Sequence, residues 1–145
     1  MTMTRRRTVL GVVAAVIVVA IPLLASSCGR AREAAEAASR EFRTRIARGA
    51  YGEIVRSATP EFRNATTEVD FAKAMEGVKT RLGAWQSSEE PTWKVLAGTG
   101  GQTVTLVYNS QFERGMATEE YVWRVRQGRP LLAGYHVKSY ALVAQ

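Results

Sequence analysis

One cysteine and one histidine, Cys28 and His136, are the side chains of this 145-residue chain best suited to covalent or proton-transfer chemistry. A thiolate attacks electrophiles or binds soft metals, and an imidazole moves protons near neutral pH. One of each excludes the zinc clusters that draw three or four ligands from Cys and His. A lone cysteine also excludes an internal disulfide. No metal or other cofactor is expected. The pairs Glu89-Glu90 and Glu119-Glu120 read as solvated acids rather than a catalytic dyad. Gly98, Gly100 and Gly101 read as a turn between strands, not a phosphate loop, and Gly-x-Ser-x-Gly is absent. Tyr108, Phe112, Tyr121, Trp123 and Tyr135 form the more suggestive set. Their rings would line an apolar pocket with hydroxyl handles, or else fill a core.

The elements that must position these residues follow from periodicity. Residues 29–48 predict a helix, with Ala35, Ala38, Phe42 and Ile46 on one narrow stripe and Gly49 as its stop. Residues 50–58 suggest a second, short helix ending before Pro60, and residues 61–66 a connection. A third helix is expected over residues 68–82, with Thr67 as cap, Asp70 reaching back to it, and Phe71, Met75, Val78 and Leu82 inward. The period then changes to two. One strand bent or interrupted near Pro91 is followed by long strands over residues 104–113 and 121–126, and a last one over 131–141. Helices first and an antiparallel meander afterwards predict an α+β domain with a sheet of about four strands.

Alternation places Val104, Leu106, Tyr108 and Phe112 toward the helices, with Tyr121, Trp123 and Val125, and then Tyr135 and Val137, as the matching sets. His136 and Lys138 then fall on the outer face. This reading leaves no inward carboxylate or imidazole on the strands, and a single β-bulge would reverse it. An inward His136, or a glutamate within reach of Tyr108 or Tyr135, would mark an enzyme. An interior filled by side chains would mark an interaction module.

Upstream, Arg5, Arg6 and Arg7 precede the charge-free run of residues 8–27, and a strongly charged segment follows Cys28. A basic start, an apolar run and small residues describe an export signal, although the run is nearly long enough to span a bilayer. Leu24-Ala25-Ser26-Ser27-Cys28 resembles the lipobox of bacterial lipoproteins. That resemblance implies diacylglycerol transfer to the Cys28 sulfur, cleavage just before it and acylation of the new amine. The division is then residues 1–27 as signal peptide and 28–145 as one domain. The alternatives are an uncleaved single-pass anchor or an ordinary export signal. Loss of residues 1–27 removes three of the 20 basic residues and none of the 13 acidic ones, so net charge falls from +7 to +4. The remaining charges are mixed, which argues against a nucleic-acid partner.

The order of three helices and a long-stranded curved sheet resembles the cone-shaped nuclear transport factor 2-like superfamily. Within it, Val104 to Tyr108, Gln111 to Arg114, Ala117 to Glu120 and Leu132 to Val137 resemble the bacterial family known as domain of unknown function 4019. The turn at Arg129-Pro130-Leu131 departs from that family's usual Gly-Gly-Trp-Arg pattern. The resemblance implies a fold but no established activity. The sequence thus points to an exported, membrane-anchored envelope lipoprotein with a non-catalytic domain. That domain would bind a small apolar ligand or a protein, including a second copy of itself across the open sheet face. Outer-membrane placement is favoured where two membranes are present, since Gly29 lacks the acidic character of an inner-membrane retention signal. The rival is a small hydrolase, isomerase or dehydratase working inside the cone.

Overall fold

The computed structural model describes the backbone of residues 7–143 and the side chains of residues 27–143. The expected signal or anchor segment, residues 1–27, lies almost wholly outside the described side chains. Helix α1 runs Arg7–Ala47, so the helix expected from Gly29 continues N-terminally as backbone. It is followed by α2 (Tyr51–Arg56), α3 (Pro60–Ala65) and α4 (Glu68–Leu82). Among the described residues no helix is long and apolar enough to cross a membrane.

The connection expected at residues 61–66 is instead helix α3. Thr59 accepts a hydrogen bond from the Phe62 N–H, and Pro60 stands in the first turn, where its missing N–H costs nothing. Helix α4 has the expected cap. The Asp70 N–H donates to Thr67 Oγ1 at 3.1 Å, and the Thr67 hydroxyl donates to the Asp70 carboxylate at 2.7 Å. Gly83 ends it at φ +76°, a conformation that side chains resist.

Five antiparallel strands follow: β1 (Trp85–Ser88), β2 (Thr92–Gly98), β3 (Gly101–Phe112), β4 (Gly115–Arg126) and β5 (Arg129–Lys138). A short helix, α5 (Tyr140–Val143), closes the chain where strand had been expected to continue. The expected count of about four becomes five because β1 and β2 are separate. Both pair with β3, and residues 89–91 between them leave the ladder at Pro91, which has no N–H to give. The sheet then runs β3, β4, β5 in order.

Helices α1, α2 and α4 close one face of this sheet, and the main core holds Ala35, Phe42, Ile54, Phe71, Met75, Leu106, Tyr121, Trp123 and Leu132. A smaller cluster of Leu82, Phe112 and Ala117 lies near α5. The fifth strand carries the bulge that alternation warned of. Val122 opposes Gly134 while Trp123 opposes Leu132, so Ala133 is the extra residue. It switches parity along β5, which lets Leu132 face inward before it and Tyr135 face inward after it.

Candidate functional site

The strands bring a carboxylate into the middle of the core. Glu119 lies two residues before Tyr121 on β4, so it shares the inward face, and it is only 2% exposed. This corrects the expectation that Glu119-Glu120 is a solvated pair and that no inward acid exists. Only Glu120 faces outward, opposite His136.

Both Glu119 oxygens are engaged. Oε1 accepts from the Tyr121 hydroxyl at 2.8 Å and the Tyr135 hydroxyl at 2.9 Å. Oε2 accepts from Ser110 Oγ at 2.5 Å and from Arg43 Nη2 at 3.1 Å. Ser110 has one proton and spends it on Glu119. The 2.6 Å contact between Ser88 Oγ and Ser110 Oγ therefore has Ser88 as donor. The Trp85 Nε1–H in turn donates to Ser88 at 2.9 Å. A chain of donors thus converges from strand β1 through β3 on one buried anion, and each bond polarises the next.

Arg43 supplies the counter-charge from α1. Its guanidinium lies 4.4 Å from the Tyr108 ring centroid, 4.8 Å from Trp85 and 5.5 Å from Tyr121. Burial alone would lower its pKa, but Tyr121, Glu119 and Tyr108 outweigh that, and the net shift is upward. One turn before it, Ser39 accepts from the Trp123 Nε1–H at 2.9 Å and donates to the Ala35 carbonyl.

Four of the five aromatic residues expected at a pocket come together here. Tyr121 packs against Tyr108, Tyr135, Trp123 and Phe42, with centroids between 5.0 and 6.4 Å apart. Phe112 lies apart, in the smaller cluster with Leu82. Trp123 is the one of the five that also lines a cleft of about 310 Å³, floored by Phe42, Ile54 and Leu132 and rimmed by Arg45 and Arg129. His136 sits on the outer face, as expected, in a shallow depression of about 260 Å³ with Val107, Glu120 and Lys138. Cys28, the expected lipid-attachment residue, is half-buried, with the Gln102 side-chain amide 3.7 Å from its sulfur. Among the described residues, no cluster of His, Cys, Asp and Glu could hold a metal.

Glu119 and Ser110 were within reach of sequence reasoning. Stepping back by two from Tyr121 reaches Glu119, and stepping on by two from Tyr108 reaches Ser110. Ser39 and Arg43 continue the spacing of Ala31 and Ala35 on α1, but a search for apolar residues alone passes over them.

Burial pushes Tyr121 and Tyr135 well above the usual phenol range, and the neighbouring Glu119 charge adds to it. Tyr108 is raised by burial despite Arg43, and Tyr51, which donates to Glu76 at 2.5 Å, is pushed up to about 12. A raised folded-state pKa favours the protonated form, so this stability is intact below the unfolded value of about 10 and is lost above it. Urea unfolding should therefore show little tyrosine-linked change up to about pH 9 and a falling stability above about pH 10. A Tyr121→Phe/Tyr135→Phe variant should fall less steeply.

No family model, curated protein or solved structure matches the chain.

Proposed function

We propose that the chain is an envelope lipoprotein tethered through Cys28, with one α+β domain that serves as a non-catalytic interaction module. The tether rests on the lipobox-like segment before Cys28 and on the short distance from that residue to the domain. No Gly/Ser-rich linker follows Cys28. Helices laid on one face of an antiparallel sheet support a cone of the nuclear transport factor 2-like kind.

The non-catalytic reading is carried by one observation, the four protein donors on Glu119. A glutamate beside Tyr135 is the mark expected of an enzyme, and it is present. A general base, however, needs a free lone pair and room for a substrate within about 3 Å. Here both oxygens are occupied, and the rings of Phe42, Tyr108, Tyr121 and Tyr135 close around them. Such a network holds α1 on the sheet. Its carboxylate is fully bonded, as a core device requires, although the buried Arg43 Nε–H finds no acceptor among the described residues.

A second reading, binding of a small ligand with an apolar body, is favoured by the cleft under Arg45 and Arg129, which stands at the low end of ligand-site volumes. The uncovered outer sheet face, with Val107, Val122 and Leu131 half-buried, is where a second copy or another protein would dock.

The tether is tested by the intact mass of the protein extracted from its native membrane, beside Cys28→Ala. A species beginning at Cys28 with added acyl mass is expected, and the variant should lack it. An unmodified chain retaining residues 1–27 would overturn the tether and leave the apolar run as an anchor.

A further inference from the structure

The two hairpin tips at the end of the domain that bears Cys28 are rich in arginine, with Glu61 near Arg124 and Arg126 and Glu41 lining the same cleft as Arg129. The β2–β3 hairpin tip meets the β4–β5 tip there, because Arg126 Nε donates to the Gly100 carbonyl and the Arg124 guanidinium also reaches Gly100. Gln102, one residue past the first tip, contacts Cys28. Residues 91–112 and 121–138 contain no Asp or Glu. Arg30, Arg126 and Arg129 are exposed, Arg124 is half-buried with its Nε enclosed, and Leu96, 54% exposed, stands in line with Arg124 on the outer face, with Thr103 between them. Among the described residues none of Arg30, Arg124, Arg126 and Arg129 forms an ion pair, nor do Arg40, Arg63, Arg81 and Arg114, whereas Arg32, Arg43, Arg45, Arg48 and Arg56 all do. Glu61 feels Arg124 and Arg126 from a distance but is bonded to neither.

We propose that these two hairpin tips, with Arg124, Arg126 and Arg129 at the end of the domain that bears Cys28, are the face that the domain lays on an anionic phospholipid surface. The inference rests on the tether, since Cys28 fixes which end of the domain meets the bilayer. Charge complementarity supplies the occupant. Arg124, Arg126 and Arg129 at these tips, none of them in an ion pair among the described residues, match a surface of phosphate headgroups, and the exposed Leu96 adds an apolar contact on the same sheet face. A basic patch next to an acyl chain is also a second membrane signal, and it would fix the orientation of a domain that lacks a long linker.

The test uses the full chain in lipid nanodiscs made of phosphatidylcholine alone, or of phosphatidylcholine mixed with phosphatidylglycerol. Cofractionation with both discs reports the tether, and amide hydrogen exchange at residues 97–103 and 124–131 reports docking. Exchange at both tips should slow on the anionic discs only, and raised salt should reverse it. With each arginine contributing about fivefold, R124Q/R126Q/R129Q should lower the docked-to-free ratio about a hundredfold. R124K/R126K/R129K, which keeps the charge, should retain it, separating docking from any loosening of the hairpins. Cofractionation with equal exchange on both compositions would overturn the docking face while leaving the tether standing. Failure to cofractionate with either disc would overturn the tether and the docking face together.

Discussion

Glu119→Ala is expected to destabilise the domain by about 3–5 kcal/mol, the cost of removing one partner from a buried ion pair. The Glu119 side chain is 3% exposed and that of Arg43 is 11%, so water can do little to replace the lost charge. The substitution leaves the Arg43 guanidinium uncompensated and takes the acceptor from Tyr121, Tyr135 and Ser110. A loss of this size is a large share of the total stability of a single domain. It should appear as a lower urea midpoint with an unchanged slope. Glu119→Gln keeps the shape and one acceptor, so it should cost less. Arg43→Met combined with Glu119→Leu should recover much of the loss, because a well-packed apolar pair needs no compensation. A Glu119→Ala variant within about 1 kcal/mol of the parent would contradict the account, since it would mean that water already reaches the carboxylate.

Trp123→Ala has the second large effect, about 3–5 kcal/mol. The ring stacks on Tyr121 with planes 5° apart, and its N–H is bonded to Ser39. Its removal leaves a void that the neighbouring strands cannot fill. Because Trp123 also lines the cleft, that void should open into it. Added indole should then recover part of the lost stability in a concentration-dependent way, as any ligand of the folded state does. Trp123→Phe should cost less, since most of the ring remains and Ser39 keeps its bond to the Ala35 carbonyl. Thermal or urea unfolding with and without indole checks both expectations. Insensitivity of Trp123→Ala to indole, together with a small loss, would mean that the interior collapses freely.

Element types were largely legible because period and punctuation agreed. Helix α4 has its cap at Thr67, its stripe through Phe71 and Met75, and its stop at Gly83 within one stretch of sequence. Strands β3 and β4 show alternation over most of their length. Helix α3 was not legible, because six residues cannot display a helical period and only Thr59-Pro60 announced it. The division of β1 from β2 depends on where the chain rejoins β3, which is a long-range pairing that local pattern does not contain.

The polar centre was legible in principle and hidden in practice. Hydrophobic patterning assigns acids to the surface, so Glu119 and Glu120 looked like one solvated pair although alternation sends them to opposite faces. What makes Glu119 tolerable inside is contributed by residues 76 positions away on α1 and 9 and 16 away on neighbouring strands. No local window shows that convergence. The bulge at Ala133 is equally silent in the sequence, yet without it Leu132 and Tyr135 could not both face inward.

The central claim is that Glu119 is sealed and fully bonded, the observation on which the proposed binding-module reading rests. Proton NMR of the Tyr121 and Tyr135 hydroxyls tests it most directly, with Tyr121→Phe and Tyr135→Phe used for assignment. Sealed, bonded hydroxyls should give distinct resonances that exchange slowly with water. Hydroxyl protons that exchange too fast to be seen at both tyrosines, in a protein whose core amides remain protected, would contradict it and return Glu119 and Tyr135 to the status of an open acid–base pair.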